Sequence, residues 1–158
     1  MSKKRKPLKV RLKNAVENLS VDIFGYEKKI TKNIIGYLEK AGKQKGILCE
    51  HLRVRIVRHQ DTVRVFLHHN GRQIREVPVK ELVGFFIGDG ADLLGIEAKV
   101  VGGVIGYMDG FSNFHEMPHD SLQVFIAAQG STVVVKAFDN TRHIKDIPVK
   151  DLIKYFKS

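Results

Sequence analysis

Two short stretches alternate apolar and polar residues with a period of two, the mark of strands buried on one face. LRVRI at 52–56 and TVRVFL at 62–67 send Leu52, Val54, Ile56, Val63, Val65 and Leu67 to one side. Arg53, Arg55, Arg64, Phe66 and His68 go to the other side. His59-Gln60-Asp61 supplies a turn between the stretches, and Asn70-Gly71 tolerates the positive φ of a tight hairpin. RQIREVPV then reads as a third strand, ended where Pro78 removes a ladder donor. In KELVGFF the apolar spacing becomes helical, with Leu82, Val83, Phe85 and Phe86 placed to cover the sheet. The predicted unit is β-β-β-α.

The same pattern returns. Sliding the chain by 70 residues lays 52–86 on 122–156 without a gap. Identical residues recur throughout, and VPVKELVGFF becomes IPVKDLIKYF. The match reads as an internal duplication. A fainter copy opens the chain: LKVRL (8–12) and NLSVDIFG (18–25) stand as strands, and KNIIGYL (32–38) stands as the covering helix. The expected fold is α+β, with β-β-β-α units at about 8–42, 52–88 and 122–158, two clear and one degenerate, forming one domain over 8–158. Between the clear units lies a connecting insert, 87–121. Its stripe of Leu93, Ile96, Val100, Val104 and Met108 favours a buried helix. Gly95, Gly102 and Gly106 would let a neighbouring backbone approach it, and also leave a pair of buried strands as an alternative.

Charge adds a function to the shape. The 158-residue chain carries a formal +10, and residues 1–60 hold sixteen Lys and Arg against five Asp and Glu. A field so concentrated suits an acidic partner, nucleic acid ahead of membrane. Met1–Pro7 reads as a flexible basic arm bearing Lys3, Lys4, Arg5 and Lys6, which also fits a nuclear localisation signal. The first unit adds Lys9, Arg11 and Lys13, with Phe24. Cations neutralise phosphates and flat rings stack on unpaired bases. The candidate nucleic-acid-binding set is therefore those seven cations with Arg53, Arg55, Arg64, Phe66 and His68. The corresponding residues of the last unit, Gln123, Phe125, Val134, Lys136 and Phe138, are more apolar and suggest contact with another copy or subunit.

Catalytic patterns are few. HEMPH at 115–119 has the letters of the H-E-x-x-H zinc motif, yet Pro118 falls inside the helix that motif needs. A looser metal contact from His115 and His119 is the alternative, and His68-His69 reads as a solvated pair at a hairpin end. Neither a phosphate-binding loop nor a dinucleotide turn occurs, so no enzyme, cofactor or metal is expected. The basic N-terminus is not followed by an apolar run, and no stretch is long enough to span a membrane. The single Cys49 fits a reducing, cytoplasmic setting.

The segment LRVRIVRHQDTVRVFLHHNGRQIREVPVKELVGFF and its copy at 122–156 resemble the purine-rich-element-binding (PUR) repeats and, more remotely, the Whirly proteins. Those families have four strands before the helix where this chain has three, and lack a counterpart of 87–121. The resemblance implies paired repeats that bind single-stranded DNA or RNA, with Arg53, Arg55, Arg64 and Phe66 at the contact. The β-β-β-α order is also similar to double-stranded RNA-binding domains, although their lysine cluster at the helix start is missing. The expected function is non-catalytic binding of nucleic acid, single-stranded by preference. An assembly or scaffold subunit, oligomeric through the last unit, is the alternative.

Overall fold

The computed structural model describes residues 19–87 and 96–156 and is an α+β fold. Helix α1 (Leu19–Lys45) leads through a short 3-10 turn (Cys49–His51) into strands β1 (Leu52–His59), β2 (Thr62–His69) and β3 (Arg72–Val77). Helix α2 (Lys80–Ile87) follows, then helix α3 (Ile96–Phe114) and a second 3-10 turn (His119–Ser121). Strands β4 (Leu122–Gln129), β5 (Thr132–Asp139) and β6 (Arg142–Ile147) and a 3-10 helix (Val149–Phe156) complete the described chain.

All six strands join in one antiparallel sheet of order β3-β2-β1-β4-β5-β6. The first strands of the two hairpin sets pair at its centre, where Arg55 faces Phe125. Those two residues stand 70 apart, so each set meets the other through equivalent positions about a local two-fold. The ladders agree at the same offset: Leu52 faces His69 as Leu122 faces Asp139, and both second strands bulge, after Leu67 and after Ala137. Asn70 (φ 51°) and Asn140 (φ 54°) take the same turn conformation.

One face of the sheet carries the core. Leu52, Val54, Ile56, Val63, Val65 and Leu67 interlock with Leu122, Val124, Ile126, Val133, Val135 and Ala137 beneath the helices. Ile30, Ile34 and Leu38 of α1 are fully buried there, and each contributes roughly 1.5–3 kcal/mol by leaving water. Helix α1 packs on α2 but lies over β4 and β5, while α3 packs on the terminal 3-10 helix and lies over β2. Each long helix thus covers strands of the other half, which ties the halves into one core.

Three expectations change. NLSVDIFG is not a strand, since α1 begins at Leu19. Its apolar residues alternate, but Leu19, Ile23, Tyr26, Ile30 and Ile34 also recur at helical spacing, and the single Gly25 between them does not stop the helix. The segment 87–121 does hold the favoured helix, with Val100, Val104 and Met108 buried. Gly106 marks no close approach, because a Cβ there would meet nothing within 4 Å. The terminal helix keeps 3-10 winding where α2 is α-helical. Both follow a proline with the same turn, Glu81 N–H to Pro78 and Asp151 N–H to Pro148, each 2.9 Å. Helices this short gain little from a longer ladder. The LKVRL strand, Leu93, Leu94 and Gly95 lie outside the described residues.

Candidate nucleic-acid interface

The face turned from the core is built by the same alternation that builds the core. Arg53 lies opposite His68 and Arg55 opposite Phe66, as the register of β1 and β2 requires. Pairing of β1 with β4 then sets Phe125 beside Arg55 on its other flank, and β5 adds Lys136 and Phe138. Arg53, Arg55, Arg64, Phe66 and His68 are therefore brought together as expected. They share one surface with the apolar residues of the last hairpin set.

Arg55 is the centre of this surface. Its Nε donates to His68 Nε2 at 3.0 Å and its Nη1 to Gln123 Oε1 at 3.2 Å. Its guanidinium carbon lies 4.7 Å from the centroid of Phe66. No carboxylate reaches it among the described residues. Burial, and then the charge of Arg64, lower its pKa from the ordinary guanidinium value. Burial first, and Arg55 second, also lower the pKa of His68, so its ring accepts the hydrogen bond in the neutral form.

Arg64 is in the opposite state. It donates twice to Glu76, at 3.0 and 2.6 Å, and this hydrogen bonding raises its pKa and lowers that of Glu76. Its charge is locally answered.

Phe66 corrects the picture of an open stacking ring. It points away from the core, yet only 6% of it is exposed. The guanidiniums of Arg55 and Arg64, 4.7 and 5.0 Å from its centroid, cover it. Cations attracted to the ring quadrupole occupy the space a base would need.

The accessible rings lie further along. His68, Phe125, Phe138 and His143 form an edge-to-face row across β2, β4, β5 and β6, with centroids 6.2, 5.4 and 5.3 Å apart. Beside the row, a concavity of about 700 Å³ is lined by Arg53, Arg55, His68, Gln123 and Phe125, with one carboxylate, Glu50. His51 and His69 stack at its rim, 6.3 Å between centroids. His68 and His69 are therefore not a solvated pair. His68 belongs to the strand and to the Arg55 network.

Lys3, Lys4, Arg5, Lys6, Lys9, Arg11 and Lys13 lie outside the described residues. Sequence reasoning missed Gln123 as a partner of Arg55, because no local pattern announces that β1 pairs with β4. It also missed Glu76, whose alternation with Arg64 across β2 and β3 was a usable signal.

HEMPH forms a turn in which Glu116 has a φ of 54°. His115 packs 4.2 Å from Phe111 between ring centroids. Both nitrogens of His119 are engaged, Nδ1 with Asp109 at 3.1 Å and Nε2 with Asn113 at 3.0 Å. Asp109 also pairs with Arg58. Among the described residues no group of three His, Cys, Asp or Glu side chains could hold a metal ion, and no helix is long and apolar enough to cross a membrane. No protein-family profile matches the chain, and no curated protein or solved structure matches it.

Proposed function

We propose that the protein binds nucleic acid without catalysis, single strands by preference, on the sheet face centred on Arg55. One observation carries this reading. Arg55 is a partly buried cation held by neutral partners, in a concavity flanked by accessible rings. A phosphate would answer its charge, and unpaired bases would stack on Phe125 and Phe138. The basic arm Met1–Pro7 adds phosphate contacts without reading sequence. The lone Cys49 is compatible with a cytoplasmic setting.

The constant 70-residue offset supports an internal duplication, and this in turn supports the likeness to PUR repeats and Whirly proteins. The duplicated unit starts earlier than the hairpins suggest. Glu27, Lys29 and Ile35-Gly36-Tyr37 recur as Glu97, Lys99 and Ile105-Gly106-Tyr107 at the same offset. The unit is then α-β-β-β followed by a short helix.

The test is a titration of fluorescein-labelled single- and double-stranded DNA and RNA at two salt concentrations, with wild type and Arg55→Gln. Tight, salt-dependent binding to single strands is expected, and Arg55→Gln should lower the salt slope by about 0.7. Absence of salt-dependent binding in the intact protein would overturn the reading. It would leave the half-buried Phe125, Phe138 and Val134 as an assembly surface for protein partners.

A further inference from the structure

On the opposite side of the molecule, α1 and α2 border a groove of about 550 Å³. Lys32, Lys40, Lys80 and Arg75 line it against a single carboxylate, Glu81. Lys32, Gly36 and Lys40 lie on one row of α1 at four-residue spacing, and a Cβ on Gly36 would meet nothing within 4 Å. The row is a notch between two ammonium groups. Arg75 donates to the Tyr37 hydroxyl at 3.0 Å and to Glu81 at 3.2 Å, which fixes it at the side of the groove.

The second half of the chain provides an internal control. At the same 70-residue offset, Tyr37, Arg75 and Glu81 become Tyr107, Lys145 and Asp151, which line a corresponding groove of about 500 Å³ on α3. Tyr107 reaches Asp151 at 3.5 Å. That scaffold is kept, but Lys32 and Lys40 are replaced by Gly102 and Gly110. Between Glu27 and Lys45, α1 carries six lysines and two glutamates, whereas α3 carries one lysine, one glutamate and one aspartate. The fold therefore does not require Lys32 and Lys40, which join Arg75 and Lys80, two cations that the second half keeps as Lys145 and Lys150. Their convergence on one concavity is a repulsion that an anion would relieve.

We propose that the α1–α2 groove is a second phosphate-binding site, taking a phosphodiester of the same nucleic acid through Lys32, Lys40, Lys80 and Arg75. It rests on the reading of the sheet face as a nucleic-acid interface and adds to it a contact that is blind to bases. Arg72 shares the edge strand β3 with the groove residue Arg75, so a strand leaving the sheet at that edge stays beside positive charge.

The test compares two triple variants with equal loss of charge, using a fluorescein-labelled oligothymidylate across a salt series. Lys32→Ala/Lys40→Ala/Lys80→Ala removes the rim. Lys28→Ala/Lys43→Ala/Lys45→Ala removes exposed lysines of α1 outside the groove. All six are exposed, so both variants should melt like wild type. The rim variant is expected to lower the salt slope by at least about 0.7 more than the control, one phosphate contact or more. Equal slopes for the two triples, or no binding by wild type, overturn the proposal. Arg55→Gln separates the two surfaces. If it weakens binding while the triples stay equal, the groove falls and the sheet reading stands. If only the rim variant weakens binding, the groove stands and the sheet reading falls.

Discussion

Arg55 is flanked across the ladder by two phenylalanines, Phe66 on β2 and Phe125 on β4. Truncating them should have different consequences, although both lie on the face away from the core. Phe66 is 6% exposed, with guanidiniums 4.7 and 5.0 Å from its centroid. Phe66→Ala removes a nearly buried ring and should cost about 3–5 kcal/mol of stability. The two cation–π contacts supply about 0.5–1 kcal/mol each of that loss. It removes no ring that a base can reach, so affinity per folded molecule should change little. Phe125 is half-buried, and its neighbours His68 and Phe138 meet it edge to face at 6.2 and 5.4 Å. Phe125→Ala should cost about 0.5–3 kcal/mol of stability, but also about 1–3 kcal/mol of binding for the lost stack. The salt slope should stay unchanged, since no phosphate contact is lost. Urea denaturation measures the first quantity, and anisotropy titration across salt measures the second. A folded Phe125→Ala variant with wild-type affinity would falsify the stacking surface. So would a Phe66→Ala variant that keeps its stability and loses binding, because that ring would then be the exposed one.

The depressed pKa of His68 gives a pH dependence with a definite sign. The folded pKa lies below the unfolded reference of 6.5, so the unfolded chain binds more protons between the two. Stability from this group is present above pH 6.5 and is lost as pH falls through the folded pKa; urea midpoints of wild type and His68→Asn should converge there. Burial is the larger cause of that depression and the Arg55 charge the second; a phosphate against Arg55 would offset the second, so binding should take up protons and strengthen as pH is lowered from neutrality, an effect absent in His68→Asn. Gly42→Ala should destabilise by about 1–3 kcal/mol, because the new Cβ would lie 2.3 Å from the Ile47 carbonyl oxygen. Ser112 occupies the equivalent place in the second half, and its buried hydroxyl has no hydrogen-bond partner among the described residues. Ser112→Ala should leave the urea midpoint unchanged or raise it by about 1 kcal/mol equivalent, and a clear loss would show that the hydroxyl is bonded.

Strands β1, β2, β4 and β5 were legible because each buries one face, and burial writes a period of two directly into the residues. The Asn70-Gly71 turn and the stop at Pro78 were legible for equally local reasons. The central pairing of β1 with β4 was not, since the first strands of two sets that meet across a long separation leave no turn residue between them. Helix α1 was half legible: Leu19 to Phe24 satisfies both periods, and the local residues do not decide between them. The direction of Phe66 followed from alternation, but its burial did not. Outward is a property of the strand, while exposure depends on which long side chains, here Arg64 of the same strand and Arg55 of the next, fold over the ring. The reach of the 70-residue offset into the long helices was legible in Ile35-Gly36-Tyr37 and Ile105-Gly106-Tyr107, which lie outside the alternating strands.

What separates the two halves is more informative than what they share. At equivalent positions the first half has Arg53, Arg55, Arg64 and Phe66, and the second has Gln123, Phe125, Val134 and Lys136. On opposite ends of a long molecule such a division would make two unrelated patches. Antiparallel pairing of β1 with β4 instead brings the centre of each set to the local two-fold, so that Arg55 and Phe125 become direct neighbours. Gln123 can then serve Arg55 as a neutral acceptor, where the equivalent residue of its own half is another arginine, Arg53. A symmetric pair of the first half would place two Arg55 guanidiniums against each other, with no acceptor between them. A symmetric pair of the second would place two Phe125 rings together and no cation. Joining unlike halves gives one surface that offers a charge and a ring side by side, which is the combination a phosphate followed by an unpaired base requires.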